Sequence, residues 1–208
     1  MKILVACEES GVVTEAFRRR GHEAWSCDIV PTSGNHPEWH IQDDVTNVLR
    51  GGYDMIVAFP PCTYLSNAGA NRLFKKIDGI SYVIPERIKN GIKARLFFEM
   101  FLKADCPRVA IENPIPSSIY CLPKYSQVIQ PYEFGHPYSK KTCLWLKGLP
   151  VLRPTSIVKP ICSWVSGGSK KADGSPRENK GMTFRDSCTK SKTFTGIAEA
   201  MAEQWGGT

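Results

Sequence analysis

An apolar run that ends in two prolines is the feature that most constrains the fold of this 208-residue chain. Residues 53–59 are mostly apolar, follow two glycines, and predict a buried β-strand. Pro60 and Pro61 then fix two φ angles and remove two backbone donors, so the chain must leave the sheet in a stiff, extended turn. That turn would place the thiol of Cys62 at the C-terminal edge of the strand, where ligand crevices of open α/β sheets lie. A single cysteine is more often buried and inert than reactive, so Cys62 by itself does not define a site.

A second short apolar run, also predicted to be a strand, is followed by a glutamate. Residues 109–111 precede Glu112, Asn113 and Pro114. A glutamate at a strand end is commonly a solvated residue or a helix-capping partner. Together with Cys62 it predicts chemistry, because a thiolate that adds to an electron-poor ring needs an acid to neutralise the charge that develops elsewhere on that ring. A carboxyl group with a raised pKa can donate that proton.

These two motifs resemble those of the DNA cytosine-5 methyltransferases. The nucleophile loop of that family is similar to Pro60-Pro61-Cys62, followed by Ser66 and Ala68-Gly69. The acid motif of the family, Glu-Asn-Val, is similar to Glu112-Asn113-Pro114, in which proline replaces valine.

A third segment resembles the same family less closely. Residues 135–142 are similar to a later Gly-x-Pro-Gln-x-Arg-x-Arg segment. Tyr138 stands for the glutamine, Lys140 for the first arginine and Thr142 for the second, which in the family helps to hold the target pyrimidine. The motifs occur in family order and span most of residues 1–150.

The resemblance implies a covalent mechanism. Cys62, as a thiolate, would add to C6 of a pyrimidine, Glu112 would hold and protonate N3, and Asn113 would order the loop. C5 would then take a methyl group from S-adenosylmethionine. Lys140 and the backbone amides of the proline turn are candidate activators of the thiol. The residues predicted to contact the substrate are Pro61, Ser66, Arg72, Lys140, Thr142, Lys170, Lys171 and Arg177.

The N-terminal region predicts the first half of a nucleotide-type α/β fold. Residues 2–7 predict a strand, residues 12–20 a helix that ends at Gly21, and residues 23–28 a second strand. The second strand has a carboxylate, Asp28, at its tip. An acidic residue at about this distance from a first strand, turn and helix suits a ligand of ribose hydroxyls.

The resemblance assigns this edge to S-adenosylmethionine, with Asp28 on the ribose and Asp44 near the adenine. The first turn departs from the family pattern Phe-x-Gly-x-Gly, since it has one glycine, Gly11, and two acids, Glu8 and Glu9. These acids would repel a phosphate, which argues against NAD or ATP and is compatible with a sulfonium cofactor. A generic βαβ start with surface acids is the other interpretation. The predicted cofactor-binding residues are Cys7, Glu8, Ser10, Gly11, Asp28, Ile29, Asp44, Val45 and Pro60.

Composition indicates one compact domain. With 42% apolar residues, a chain of this length can bury a core without crosslinks. The absence of an 18-residue apolar run and of a leader pattern predicts neither a membrane span nor a secretory signal, and hence a cytoplasmic location. The eight cysteines lack metal-type spacing, which predicts reduced thiols and no metal site.

Positive charge is concentrated between residues 169 and 192. This segment supplies +4 of the net charge of +7 and is rich in glycine and serine, which predicts a loop. Such a loop binds a phosphate backbone or is merely solvated, and both interpretations stay open. A smaller cluster, Arg72, Lys75 and Lys76, follows the cysteine loop and is predicted to lie beside the same backbone. Residues 196–205 predict a helix that resembles the last helix of the family, which packs beside the first strand.

Sequence-reading members of the family carry a large recognition domain where this chain has only about forty residues, 148–187. Relaxed specificity, a partner protein or a smaller substrate would each explain so short an insert. We therefore predict a single methyltransferase-like domain over residues 1–208, with a short basic insert at 148–192 in place of a recognition domain.

The predicted fold class is a single α/β, Rossmann-like S-adenosylmethionine-dependent methyltransferase domain with a mostly parallel sheet and helices on both faces. The predicted activity is DNA (cytosine-5-)-methyltransferase, acting on duplex or single-stranded DNA. Three alternatives stay open: the same C5 chemistry on a free pyrimidine nucleotide or on RNA, a non-catalytic module that binds DNA or S-adenosylmethionine, and a different cysteine-dependent pyrimidine enzyme with a folate or altered sulfonium donor. The sequence does not predict an oligomeric state.

Overall fold

A seven-stranded β-sheet forms the centre of the protein in the computed structural model, which describes residues 1–164 and 192–207. The strands of this sheet and of two small two-stranded sheets are β1 Lys2–Ala6, β2 Glu23–Asp28, β3 His40–Gln42, β4 Met55–Ala58, β5 Phe74–Ile77, β6 Ile80–Val83, β7 Val109–Pro114, β8 Gln127–Ile129, β9 Tyr138–Ser139, β10 Thr142–Lys147 and β11 Cys162–Ser163. The helices are α1 Val12–Arg19, α2 Val45–Val48, α3 Asn67–Ala70, α4 Pro85–Leu102 and α5 Thr195–Gly206.

The order of the central sheet is β3-β2-β1-β4-β7-β10-β8, and β10 alone runs against its neighbours. All other pairs in this sheet are parallel. The chain builds outward from β1 to β2 and then β3, and the next crossover returns past β1 to place β4 on its other side. A reversal of this kind opens a ligand crevice at the carboxyl ends of the strands.

Helices cover both faces of the sheet, as the alternation of side chains in β1 requires. Ile3 and Val5 pack into one core with α1 and α5. Leu4 and Ala6 pack into a second core with α4 on the other face. The predicted fold class, a mostly parallel Rossmann-like sheet with helices on both faces, is confirmed.

Helix α5 returns from the end of the chain to pack against α1 and the core beneath β1. Met201 is fully buried in the core that also holds Ile3. Ion pairs join the exposed sides of the two helices, from Arg19 to Glu199 and from Arg20 to Glu203. The helix predicted for residues 196–205 is therefore present, and it lies where the sequence resemblance implies.

The element boundaries differ from the sequence prediction at the first turn. The predicted strand over residues 2–7 ends at Ala6, because Cys7 has a φ of 58° and leaves the extended conformation. Helix α1 ends at Arg19, and Gly21 then takes a φ of 79°, as a helix-terminating glycine commonly does.

Two further findings concern the described residues alone. Within residues 1–164 and 192–207, no helix has the length and apolar character needed to cross a bilayer. In the same residues, the histidine, cysteine and acidic side chains form no group of three or more that could hold a metal ion.

Candidate active site

Two adjacent strands bring the predicted nucleophile and acid to the same edge of the sheet. Ala58, the last residue of β4, pairs with Ile111 of β7, so Glu112 comes next in β7 beside Phe59, the first residue after β4. The chain then leaves β4 through Pro60 and Pro61 to Cys62. The sequence separates these groups by fifty residues, and the parallel pairing of β4 with β7 removes that separation.

The loop that carries Cys62 is fixed to the extension of β7. The side chain of Asn113, which is fully buried, donates from Nδ2 to the carbonyl oxygen of Pro60 at 3.5 Å. Backbone hydrogen bonds then join Asn67 to Ile115 at 3.0 Å and Ser117 to Leu65 at 2.7 Å. These contacts give Asn113 a direct structural link to the nucleophile loop.

The loop is also tightly packed within itself. A Cβ atom on Gly69 would lie 2.1 Å from the carbonyl oxygen of Thr63, so this position requires glycine. The hydroxyl oxygen of Ser66, which is buried, accepts the amide of Gly69 at 3.2 Å. Ser66 therefore holds the turn. Pro61 and Arg72, also predicted to contact the substrate, are exposed.

Burial and charge set the protonation of the two reactive groups. Burial raises the pKa of the Cys62 thiol, Glu112 raises it further, and Lys140 lowers it. Burial also raises the pKa of Glu112, against the ammonium of Lys140 and a hydrogen bond with Thr142, both of which lower it. The three groups thus interact electrostatically: burial favours the neutral forms of both acids, and Lys140 favours their charged forms.

A cleft of about 340 Å³ opens beside Glu112. Lys140 reaches it from the segment before β10, where its amide donates to Oε1 of Gln130 at 2.9 Å. The lining consists of Phe59, Glu112, Ile129, Pro131, Lys140, Thr142, Lys192, Thr193, Phe194, Ile197 and Met201.

Phe194 is a wall of this cleft that the sequence did not single out. Its ring centroid lies 4.7 Å from that of Trp164 and 5.0 Å from that of His136. Nε2 of His136 accepts the amide of Gly196 at 2.9 Å, and burial lowers the pKa of this imidazole. His136 therefore caps α5 as a neutral ring and holds Phe194 against the cleft. Only its place in the 135–142 segment marked it in the sequence.

Glu8, in the first turn, is committed to helix α1. This buried carboxylate accepts the amide of Val13 at 2.6 Å and both the amide and hydroxyl of Thr14, at 3.1 and 2.7 Å. Burial raises the pKa of Glu8 to about 7 in spite of these hydrogen bonds. The amides to which a phosphate would bind at a helix N-terminus are therefore occupied.

The next turn residues, Ser10 and Gly11, line a second cleft of about 240 Å³. The segment that follows β2 folds over this turn, since the hydroxyl of Thr32 donates to the carbonyl oxygen of Glu9 at 2.6 Å. Before the turn, Cys7 has its pKa raised by burial and by the nearby carboxylate of Asp28.

The remaining cofactor-binding candidates lie at the carboxyl ends of β2 and β3. Asp28 ends β2, and its Oδ1 accepts the amide of Val30 at 3.1 Å. Ile29 is 71% exposed and presents an apolar surface beside that carboxylate. Asp44 caps α2 by accepting the amide of Thr46 at 2.9 Å, which lowers the pKa of Asp44. Val45 is buried in the core.

Three predicted substrate contacts, Lys170, Lys171 and Arg177, lie outside the described residues, as does most of the predicted insert at 148–192. Their roles stay predictions. Within the described part of that insert, β11 pairs with β9 and brings Trp164 to the aromatic wall.

Comparison with known proteins gives a fold likeness alone. No family model and no curated protein matches the chain. Solved structures that resemble it include a DNA modification methyltransferase candidate encoded within an E. coli prophage, with 14% identity and a TM-score of 0.45 over 76% of this chain and 51% of that one. The Entamoeba histolytica methyltransferase EhMeth has 11% identity and a TM-score of 0.43 over 75% and 57%. The S. pombe Dnmt2 methyltransferase has 14% identity and a TM-score of 0.44 over 72% and 50%.

The chain thus spans little more than half the length of these structures. At such identities and scores the likeness assigns neither a family nor an activity. The functional conclusion depends on the residues of this chain.

Proposed function

We propose that this protein transfers a methyl group from S-adenosylmethionine to C5 of cytosine in DNA, through a covalent bond between Cys62 and C6 of the base. The observation that carries the proposal is the electrostatic cluster of Cys62, Glu112 and Lys140 at the carboxyl ends of two adjacent strands. A thiol, a protonated carboxyl group and a cation are what addition to a pyrimidine requires.

Glu112 is suited to act as the acid. Because burial raises its pKa, Glu112 keeps a proton more readily than an ordinary glutamate and can donate it to N3 as the ring takes up negative charge. Thr142 and Lys140 are placed to stabilise the carboxylate that this transfer leaves.

Cys62 is suited to act as the nucleophile once a base is bound. Its resting thiol is neutral, so the attacking thiolate must be generated in the complex, where Lys140 favours the charged form. The thiolate forms the S–C6 bond, and Glu112 protonates N3. After C5 has gained its methyl group, water takes the C5 proton, the S–C6 bond breaks to restore the thiolate, and N3 returns its proton to Glu112.

The residues at the other end of the edge fit S-adenosylmethionine, which supplies an electrophilic methyl group when bound. Asp28 offers carboxylate oxygens to ribose hydroxyls, and the exposed Ile29 offers an apolar surface to a base. The occupied N-terminus of α1 favours a cofactor without phosphate.

A free pyrimidine nucleotide is the second candidate substrate. A cleft opens beside Glu112, and in duplex DNA the target base would first have to leave the stack to reach it, whereas a free nucleotide would not.

Transfer of radiolabel distinguishes these substrates. The protein is incubated with methyl-labelled S-adenosylmethionine and with duplex DNA, single-stranded DNA, RNA or dCMP, and the digested product is identified. We expect 5-methylcytosine from DNA. Label in dCMP alone would favour the second candidate, and label in no substrate under conditions where the cofactor binds would overturn both.

A further inference from the structure

A β-hairpin projects from the protein next to the nucleophile loop. Strands β5 and β6 pair with each other and not with the central sheet, and all eight of their residues are exposed. Asp78 and Gly79, with φ angles of 50° and 80°, form the turn that joins them. Leu73, which is buried, anchors the base, where its carbonyl oxygen accepts the amide of Ile84 at 2.9 Å.

The hairpin exposes a large apolar surface that the rest of residues 1–164 and 192–207 leaves uncovered. Five of its eight strand residues are large and apolar, with exposed fractions of 43–58%. They are Phe74, Ile77, Ile80, Tyr82 and Val83. A two-stranded hairpin is marginally stable in isolation, so exposure on this scale indicates a binding element.

The strand register distributes these residues in a regular way. Lys75 pairs with Tyr82, and Phe74 pairs with Val83. Because alternate residues point to opposite faces, Lys76 shares the face of Phe74, so each face of the hairpin has one aromatic ring and one lysine. Apolar and aromatic side chains that contact base edges, such as the thymine methyl group, and lysines that neutralise phosphates are components of surfaces that bind a DNA groove.

Charge argues against a second copy of this chain as the occupant. Arg72 precedes the two lysines, and the sole acid of the hairpin, Asp78, is confined to its turn. Two such hairpins placed together would bring like charges into an apolar contact, which is unfavourable. A polyanion with flat apolar bases complements this surface.

The elements on either side of the hairpin contact the nucleophile loop. Helix α3, before it, belongs to that loop. In helix α4, after it, the guanidinium of Arg87 lies 4.9 Å from the ring centroid of Tyr64 and donates to the carbonyl oxygen of Gly69 at 3.4 Å. A nucleic acid held by the hairpin would therefore lie beside the loop that carries Cys62.

From this juxtaposition we propose that the hairpin of residues 74–83 is a DNA-binding element that inserts into a groove next to the target base. The major groove of B-DNA is about 12 Å wide and admits a two-stranded β-ribbon. The inference rests on the proposed function, for which it names the surface that holds the substrate.

Two double variants test the hairpin: Lys75→Ala with Lys76→Ala, and Phe74→Ser with Tyr82→Ser. The matched control is Lys103→Ala with Lys124→Ala, which removes the same charge from two exposed lysines outside the hairpin and outside the predicted basic insert. Affinity for a fluorescent duplex is measured by anisotropy at several salt concentrations. All substituted side chains are exposed or partly exposed, and thermal unfolding checks that each variant stays folded.

The negative slope of log affinity against log salt should become shallower by up to about 1.8 in the lysine double variant, since each phosphate contact contributes about 0.9. The aromatic pair should weaken DNA binding at least about fivefold with an unchanged salt slope. The control should bind like the wild type. Hairpin variants that bind DNA with the affinity and salt slope of the wild type would overturn the proposal, as would a wild type that binds anionic vesicles or RNA but not DNA.

Failure of the proposed function is distinguishable from failure of this inference, because binding is measured without methyl transfer. DNA binding that depends on the hairpin, without methyl transfer to any base, supports the proposed role of the hairpin and contradicts the proposed methyltransferase chemistry. Methyl transfer to DNA at a rate that neither hairpin variant changes supports the proposed methyltransferase chemistry and contradicts the proposed role of the hairpin.

Discussion

Glu8 follows β1 and Glu112 lies in the C-terminal half of β7, at the same edge of the sheet, and burial raises the pKa of each carboxyl group. Their partners differ. Glu8 accepts three hydrogen bonds from the start of α1, which commits its oxygens to the helix. Glu112 lines an open cleft with a cation and a hydroxyl beside it. A raised pKa therefore does not show which of the two carboxyl groups is catalytic. The direction in which each side chain faces does show it.

The two halves of the carboxyl edge of the central sheet, one with the nucleophile and one with the predicted cofactor site, also differ in their contacts. The nucleophile half is fixed by contacts between distant backbone segments, such as Asn67 with Ile115. In the cofactor half, short-range side-chain contacts dominate, as when Asp44 caps α2 and Asp28 accepts the amide of Val30. We expect substitutions in the first half to abolish chemistry and substitutions in the second to change stability or affinity.

The largest effect is expected for Cys62→Ala. If the thiol bonds to the base, its loss should lower methyl transfer at least about 10³-fold and leave cofactor affinity unchanged. Single-turnover rates and calorimetry measure the two quantities. Cys162→Ala, in another partly buried cysteine, is the control and should keep activity. Near-normal turnover in Cys62→Ala would show that the thiol does not bond to the base, and the nucleophile half of the edge would then have no distinct chemical role.

Glu112→Gln should come next. The substitution keeps the shape of the side chain and removes its proton donor, for which a loss of about 10²–10⁴-fold in rate is typical. The matching Glu8→Gln variant should lose far less, because Glu8 faces the helix. Equal losses in the two variants, measured by kcat/KM, would contradict the assignment of separate roles.

Glu8 should instead govern stability. Its pKa is raised from an ordinary value of 4.5 to about 7 in the folded protein, so the folded state holds a proton that the unfolded state releases. Stability from this group is full below pH 4.5 and falls as the pH rises to about 7, by about 3 kcal/mol at most.

Denaturant unfolding at a series of pH values measures this effect. The slope between pH 4.5 and 7 should flatten in Glu8→Gln and persist in Glu23→Gln, a change at an exposed glutamate. An identical slope in wild type and Glu8→Gln would show that Glu8 does not titrate with a raised pKa.

Asp28→Ala should give the smallest effect. The loss of a charged hydrogen bond to ribose costs about 1–3 kcal/mol of binding free energy, with little change in the rate at saturating cofactor. Calorimetry with S-adenosylmethionine tests this expectation, and Asp43→Ala serves as the neighbouring control. Unchanged affinity in Asp28→Ala would place the cofactor elsewhere.

Much of the fold and part of the site could be predicted from local sequence. Apolar runs that stop at prolines or turn residues predict β1, β4 and β7, and parallel pairing then brings Cys62 and Glu112 together. The direction of the Glu8 side chain could not be predicted, because capping and ligand binding call for the same residue type in the same turn.

Other features depend on contacts between distant segments. The hydrogen bond from Asn113 to Pro60 spans 53 residues, and the wall formed by Phe194 needs Trp164 and His136 from separate segments. The hairpin was missed for another reason. Asp78-Gly79 is a strong turn signal, but the flanking residues, Phe-Lys-Lys-Ile and Ile-Ser-Tyr-Val, do not alternate apolar and polar side chains as a half-buried strand does.

Covalent trapping tests the central claim most directly. A duplex that contains 5-fluorocytosine cannot lose a proton from C5, so the S–C6 bond should persist after methyl transfer. We predict a denaturation-resistant adduct of the protein with methylated DNA, which mass spectrometry of the digested complex locates at Cys62. The adduct should be absent from Cys62→Ala and present in Cys162→Ala. A protein that methylates cytosine at C5 and forms no adduct, or forms it in Cys62→Ala, would contradict the account.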